Sequence, residues 1–83
     1  MKRYIPRKGT TFEDREELED KLVKSGWEFE GTGHSRSKGK VTSYDVGVMD
    51  RKGDIWLMVH LVPVVKGIKV VKVEKLRLSD YSK

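Results

Sequence analysis

The chain contains no cysteine, and no alanine, asparagine or glutamine either. Without thiols, neither disulfides nor thiolate metal centres can reinforce the fold. Few thermolabile side chains beside abundant Lys, Glu and Val is a compositional trend of thermophile proteins, and the composition implies such a source. Histidine is confined to His34 and His60, too few for a three-ligand metal site without carboxylate help. There is no Gly-rich phosphate loop, paired-carboxylate motif or nucleophile elbow. A non-enzymatic protein without metal or cofactor is therefore the expectation. No stretch reaches the ~18 apolar residues of a membrane span, and MKRYIPRKG at the N-terminus has no apolar core for a secretory signal. These absences lead to a cytoplasmic protein with no membrane contact.

What is present is charge: 37% of the 83 residues are Asp, Glu, Lys or Arg, with a net charge of +5. A chain of this length is one domain, residues 1–83, with a thin core that covers roughly 60% of the unfolded surface. The charge is unevenly spread. Residues 1–11 carry +4, residues 12–30 carry −5 and residues 31–83 carry +6. An acidic element flanked by basic ones leaves only part of the surface to face a polyanion such as nucleic acid.

Taken in order, the chain opens with a basic arm over residues 1–11, in which Tyr4 and Ile5 are the apolar anchors. TTFEDREELEDKLVKSG then predicts a helix over residues 12–25. Thr10 with Glu13 matches a capping box, and Glu17–Lys21 and Asp20–Lys24 are favourably ordered i, i+4 pairs. Gly26 suits the left-handed position that ends a helix. Phe12, Leu18, Leu22 and Val23 fall within an arc of roughly 140°, the width of a one-sided core stripe. After Gly26 the period becomes alternating: Trp27 and Phe29 share one face of a half-buried strand. His34 to Lys40, without an apolar residue, reads as a basic loop. Lys40–Met49 alternates again, and DRKGD over residues 50–54 has hairpin chemistry with Gly53 at positive φ.

The most apolar stretch follows, Asp54 to Pro63, DIWLMVHLVP. As a strand it places Ile55, Leu57, Val59 and Leu61 on one face and Trp56, Met58, His60 and Val62 on the other. Pro63 to Gly67 should turn the chain back. Ile68 to Leu78 does not keep one phase, with Ile68 and Val70 one way, Val71 and Val73 the other, and Leu76 and Leu78 back again, so a bulge is expected. Residues 79–83 read as a flexible tail. The resulting architecture is α+β: one N-terminal helix on one face of a four-stranded antiparallel sheet, in the order arm-α-β-β-β-β.

Two candidate surfaces emerge. In a meander, the 34–40 loop, the 63–67 turn and the helix N-terminus share one end of the sheet. Arg7, Lys8, Arg36, Lys38, Lys40 and Lys66 are thereby expected to gather there as a nucleic-acid-binding site. The second surface is the sheet face away from the helix. Trp56, Met58, His60 and Val62 would form an interface there, most simply with a second copy in a homodimer, alternatively with another protein as an inhibitor or adaptor.

One stretch carries a resemblance. The order helix, Gly26–Trp27, strand, Gly33 and His34 resembles HicA-type mRNA-cleaving toxins across Leu22 to His34. That resemblance implies a remote alternative, a small ribonuclease with His34 beside Ser35, Arg36 and Lys38 as its acid–base group. Those toxins carry a helix after the sheet, where this chain has the strand Ile68–Leu78.

Overall fold

The computed structural model describes residues 3–50 and 52–77. The chain forms β1 (Thr11–Phe12), α1 (Arg15–Lys24), β2 (Glu28–Ser37), β3 (Lys40–Met49), β4 (Ile55–Val64) and β5 (Gly67–Arg77). The strands make one antiparallel sheet in the order β1-β5-β4-β3-β2. The α+β class and the β2–β5 meander stand, but the sheet has five strands rather than four. The extra one comes from the junction of the expected arm and helix: Thr11, expected in the arm, pairs with Lys69, and Phe12, expected in the helix stripe, pairs with Ile68.

The helix starts three residues later than its composition implied. Its N-cap is Asp14, whose Oδ1 accepts from the Glu17 N–H at 2.9 Å, while Glu17 Oε2 accepts from the Glu13 N–H at 3.2 Å. Thr10 is engaged elsewhere, its carbonyl accepting from Val70 N at 2.8 Å, so it cannot cap. The end of the helix is as expected. Gly26, at φ 116°, donates to Val23 O at 3.1 Å and Trp27 N donates to Leu22 O at 3.2 Å, a Schellman closure. With only ten residues the helix presents two leucines, Leu18 and Leu22, both fully buried. Val23 lies about 100° further round and is 47% exposed, which corrects its place in the core stripe. The i, i+4 ion pair that forms is Arg15–Glu19 at 3.3 Å. Lys21 instead lies over the rings of Tyr4 and Phe12.

One face of the sheet meets this helix. Val46 and Val48 of β3, Leu57, Val59 and Leu61 of β4, and Ile68 and Val70 of β5 close a single core with Phe12, Leu18, Leu22 and Trp27. The aliphatic set of β4 is on the helix side, as the alternation implied. Phe29 is not part of the core: it pairs with Val48 on the edge strand and is 46% exposed. The predicted bulge in β5 is a single unpaired residue, Val71, between the pairs Leu61–Val70 and His60–Lys72. It returns Val73 to the core face and puts Leu76 opposite Trp56 on the other face, reversing the expected phase of both. Leu78 and the tail 79–83 lie outside the described residues.

The N-terminal segment is held at several points. Tyr4 N donates to Ser25 Oγ at 2.9 Å, Trp27 Nε1 donates to the Tyr4 carbonyl at 2.8 Å, Pro6 is buried, and Gly9 N donates to Val70 O at 2.8 Å. Arg3 lies 4.7 Å over the Trp27 ring and 4.0 Å from Asp50 Oδ2. A cation over an indole is a favourable electrostatic contact with the ring face. Burial of Tyr4 raises its phenol above the ordinary value. The β3–β4 turn closes as expected, with Gly53 at φ 72°. Asp50 Oδ1 accepts from Asp54 N at 2.8 Å and from Ile55 N at 3.3 Å. Burial alone would raise this carboxyl, but the Ile55 and Asp54 amides and the Arg3 charge hold it below its ordinary value.

Gly67 has a different role from the turn glycines. A Cβ there would sit 2.0 Å from the Phe12 carbonyl oxygen. The residue is glycine because β1 crosses directly against it, and this close approach lets two residues act as a strand.

Candidate functional site

The stretch read as a loop, His34 to Lys40, is regular structure. His34 to Ser37 belong to β2, and Lys38 and Gly39, at φ 53° and 80°, form a two-residue turn into β3. Positive φ at both central residues is the geometry whose twist matches a hairpin. Polarity misled because this part of the sheet needs no apolar face. Pairing of β3 with β4 ends at Tyr44–Leu61, whereas β2 and β3 stay paired as far as Ser37–Lys40. While β4 and β5 stay paired for three residues past Leu61, as far as Val64–Gly67, the hairpin therefore runs roughly 13 Å past the last β3–β4 pair, at about 3.3 Å per residue. Over residues 35–43 it carries Arg36, Lys38 and Lys40, and no acid.

Lys66 lies in the β4–β5 turn at the same end, beside a fully exposed Val65. The start of α1 is there too, since a cleft is lined jointly by Glu13, Asp14, Arg15 and Glu16 and by Tyr44, Pro63, Gly67 and Ile68. Its first amides are not free for a phosphate: Asp14 and Glu17 already occupy part of that end, and their charge would repel an anion. Arg7 and Lys8 do not join the group. The bonds of Gly9 and Thr10 to Val70 fix them beside β5, on the opposite side of the sheet from the basic hairpin. Four of the six expected basic residues share an end, and two do not.

On the sheet face away from the helix, Trp56, Met58, His60 and Val62 are half-buried rather than fully open. Their cover comes from residues that sequence reasoning missed. A Cβ on Gly47 would meet Met58 Cε and Trp56 Nε1, each at 3.4 Å, and the carbonyl oxygen of Gly31 at 3.7 Å. The indole and the thioether lie across bare backbone of β3 toward β2. The glycine at 47 was the available signal, since it removes a side chain where the tryptophan rests. Trp56 Nε1 is covered and has no hydrogen-bond partner among the described residues.

Next to this apolar patch, charge is arranged across three strands. His60 Nδ1 and Asp45 Oδ1 are 2.5 Å apart, His60 Nε2 is 3.4 Å from Glu74 Oε1, and Lys72 Nζ is 2.9 Å from the same oxygen. The Nε2 contact is not a formed hydrogen bond. Lys72, by hydrogen bond and charge, and then His60 hold Glu74 below its ordinary value. Cross-strand register alone places Asp45, His60 and Lys72 in one row. His34, the residue that the toxin resemblance singled out, is exposed and pairs with Tyr44 on β3. No group of three or more His, Cys, Asp or Glu side chains suited to a metal ion occurs among the described residues. No helix among them is long and apolar enough to cross a membrane. Comparison of the chain with protein-family models, curated proteins and solved structures finds no match.

Proposed function

We propose that this protein binds nucleic acid without chemistry, inserting the β2–β3 hairpin against the phosphate backbone. The observation that carries the reading is the projection of Arg36, Lys38 and Lys40 beyond the last β3–β4 pair on a ribbon without a carboxylate. The acidic residues Glu13, Asp14, Glu16, Glu17, Glu19 and Asp20 sit on or beside α1, whose start lies at the same end of the sheet, so a polyanion meets least repulsion when it approaches the hairpin from the face away from the helix. A two-stranded ribbon fits a major groove about 12 Å wide. Lysines make phosphate contacts as point charges, which predicts affinity with little sequence preference and a steep dependence on salt. Fluorescence polarisation with labelled duplex DNA, duplex RNA and single-stranded probes tests this. Binding at low salt that falls steeply with added NaCl is expected, and no binding to any probe at low salt overturns the reading.

A second reading, a protein-binding module on the open sheet face, is favoured by the half-buried apolar row Trp56, Met58 and Val62 on that face. Trp56→Glu would then abolish capture of the partner protein while leaving nucleic-acid affinity unchanged.

A further inference from the structure

β2 is ten residues long, and in the order β1-β5-β4-β3-β2 its outer edge is unpaired among the described residues. Such an edge is a template for another strand, and proteins commonly blunt it with proline, scattered lysines or shortness. β2 has neither proline nor lysine. Its charges are instead sorted along its length: Glu28 and Glu30 lie near its start, Arg36 lies near its end with Lys38 in the adjoining turn, and only uncharged residues and His34 lie between. A strand sorted in this way is complementary to its own reverse.

We infer that a second copy of this chain pairs antiparallel with β2 across a two-fold axis at Gly33, joining two sheets edge to edge. With Gly33 facing its own counterpart, Glu30 stands opposite Arg36 and Glu28 opposite Lys38, and symmetry repeats both pairs. Thr32 then faces His34, and Gly31 faces Ser35. The backbone selects the same centre independently. β2 is out of register with β3 at Glu30, and the ladder shifts again between Ser35 and Arg36, but Gly31 to Ser35 pair with β3 without a break. The midpoint of that regular stretch is Gly33. A Cβ on Gly31 or Gly33 would meet nothing within 4 Å, so the axis crosses an uncrowded edge.

The opposite edge does not offer the same complementarity. The first part of β5 is covered by β1, and the remainder carries Lys72, Lys75 and Arg77 against a single Glu74, so two copies would repel. The pairing on β2 is an isologous contact that closes at two chains. Arg36 and Lys38 belong both to this contact and to the proposed nucleic-acid surface, whereas Glu28 and Glu30 belong to this contact alone.

Sedimentation equilibrium of the full chain tests the inference. The expected mass is twice the 9.6 kDa of one chain, with a dissociation constant that rises with salt. Glu30→Lys, or separately Arg36→Glu, sets like charges opposite each other twice and should weaken the dimer roughly tenfold or more. Glu30→Lys combined with Arg36→Glu restores opposite charges and should recover it. These side chains are exposed, and circular dichroism checks that each variant keeps its fold. Amide hydrogen exchange should show protection of Gly31 to Ser35 that is lost in Glu30→Lys and regained in the double variant. A wild-type monomer at all concentrations overturns the inference, as does a dimer indifferent to the single reversals or a double variant that fails to recover. A dimer lost in Trp56→Glu but insensitive to Glu30→Lys also overturns it and assigns assembly to the open face. Glu30→Lys adds positive charge without touching the hairpin bases, so loss of the dimer with nucleic-acid binding retained separates the two surfaces.

Discussion

Replacing Arg36, Lys38 and Lys40 together, as Arg36→Gln, Lys38→Asn and Lys40→Gln, removes the positive charge of the hairpin while leaving its backbone in place. Asparagine suits position 38, because that residue sits at φ 53° and asparagine tolerates the left-handed region well. All three side chains are exposed, and none forms an ion pair among the described residues, so stability should change by less than about 0.5 kcal/mol. The electrostatic effect is large by comparison. Each phosphate neutralised on B-DNA contributes about 0.9 to the slope of log affinity against log salt. With Lys66, the hairpin end supplies four cations, hence a slope near −3.6 and about a 150-fold loss of affinity between 50 and 200 mM NaCl. The triple variant keeps Lys66 alone, for which the same change in salt costs only about a factor of three. Polarisation titrations of a labelled 20-base-pair duplex at several NaCl concentrations read both slopes directly. Arg7→Gln with Lys8→Gln is the control, and should leave the slope of the wild type because those residues lie beside β5 on the far side of the sheet. A triple variant with an unchanged slope, or a control that flattens it, would refute the assignment of the hairpin.

Other consequences concern the fold. Leu22→Ala empties a fully buried site between helix and sheet, and urea unfolding should register a loss of about 2–5 kcal/mol. Gly67→Ala drives a methyl group into the Phe12 carbonyl and should destabilise by at least about 1–3 kcal/mol, with amide exchange revealing that β1 has separated from β5. Trp27→Phe removes the bond from the indole to the Tyr4 carbonyl, at about 1 kcal/mol, and should make the chain before Thr11 a faster target for trypsin at Arg3, Arg7 and Lys8. Asp50 and Glu74 both titrate lower in the folded chain than their ordinary values of 3.8 and 4.5. Below those values the unfolded chain takes up protons first, so stability is fully present above them and declines as pH falls toward the folded values. Urea midpoints measured from pH 6 to pH 2 should drop in that direction, and Asp50→Asn should make the drop shallower.

The helix end, the β3–β4 turn, the β5 bulge and the split of β4 into two faces were all legible in the residues. Each depends on short-range rules: a glycine at positive φ, side-chain alternation, or a break in phase. By the same logic, the aliphatic face of β4 could be assigned to the core before any partner for it was known. The misread elements needed distant partners. Thr10 resembled a cap, and became part of a strand edge once Val70 took its carbonyl. The 34–40 segment resembled a loop, because a ladder of backbone hydrogen bonds extending past the core leaves no apolar trace.

For the candidate surfaces the division is similar. Composition and charge order led to the expectation that a polyanion would face only part of this protein, and named the residues expected to attract it. Which of those residues stand together was decided by β1: its pairing with β5 carried Arg7 and Lys8 away from Arg36, Lys38 and Lys40. The open sheet face divides in the same way. Sequence alternation put Trp56, Met58, His60 and Val62 on one side of β4, but only the register with β3 brought Gly47 beneath the indole and Asp45 against His60. The physical reason is common to both cases. Local conformation follows from a residue and its near neighbours, whereas the contacts that define a surface are made across strands distant in the chain.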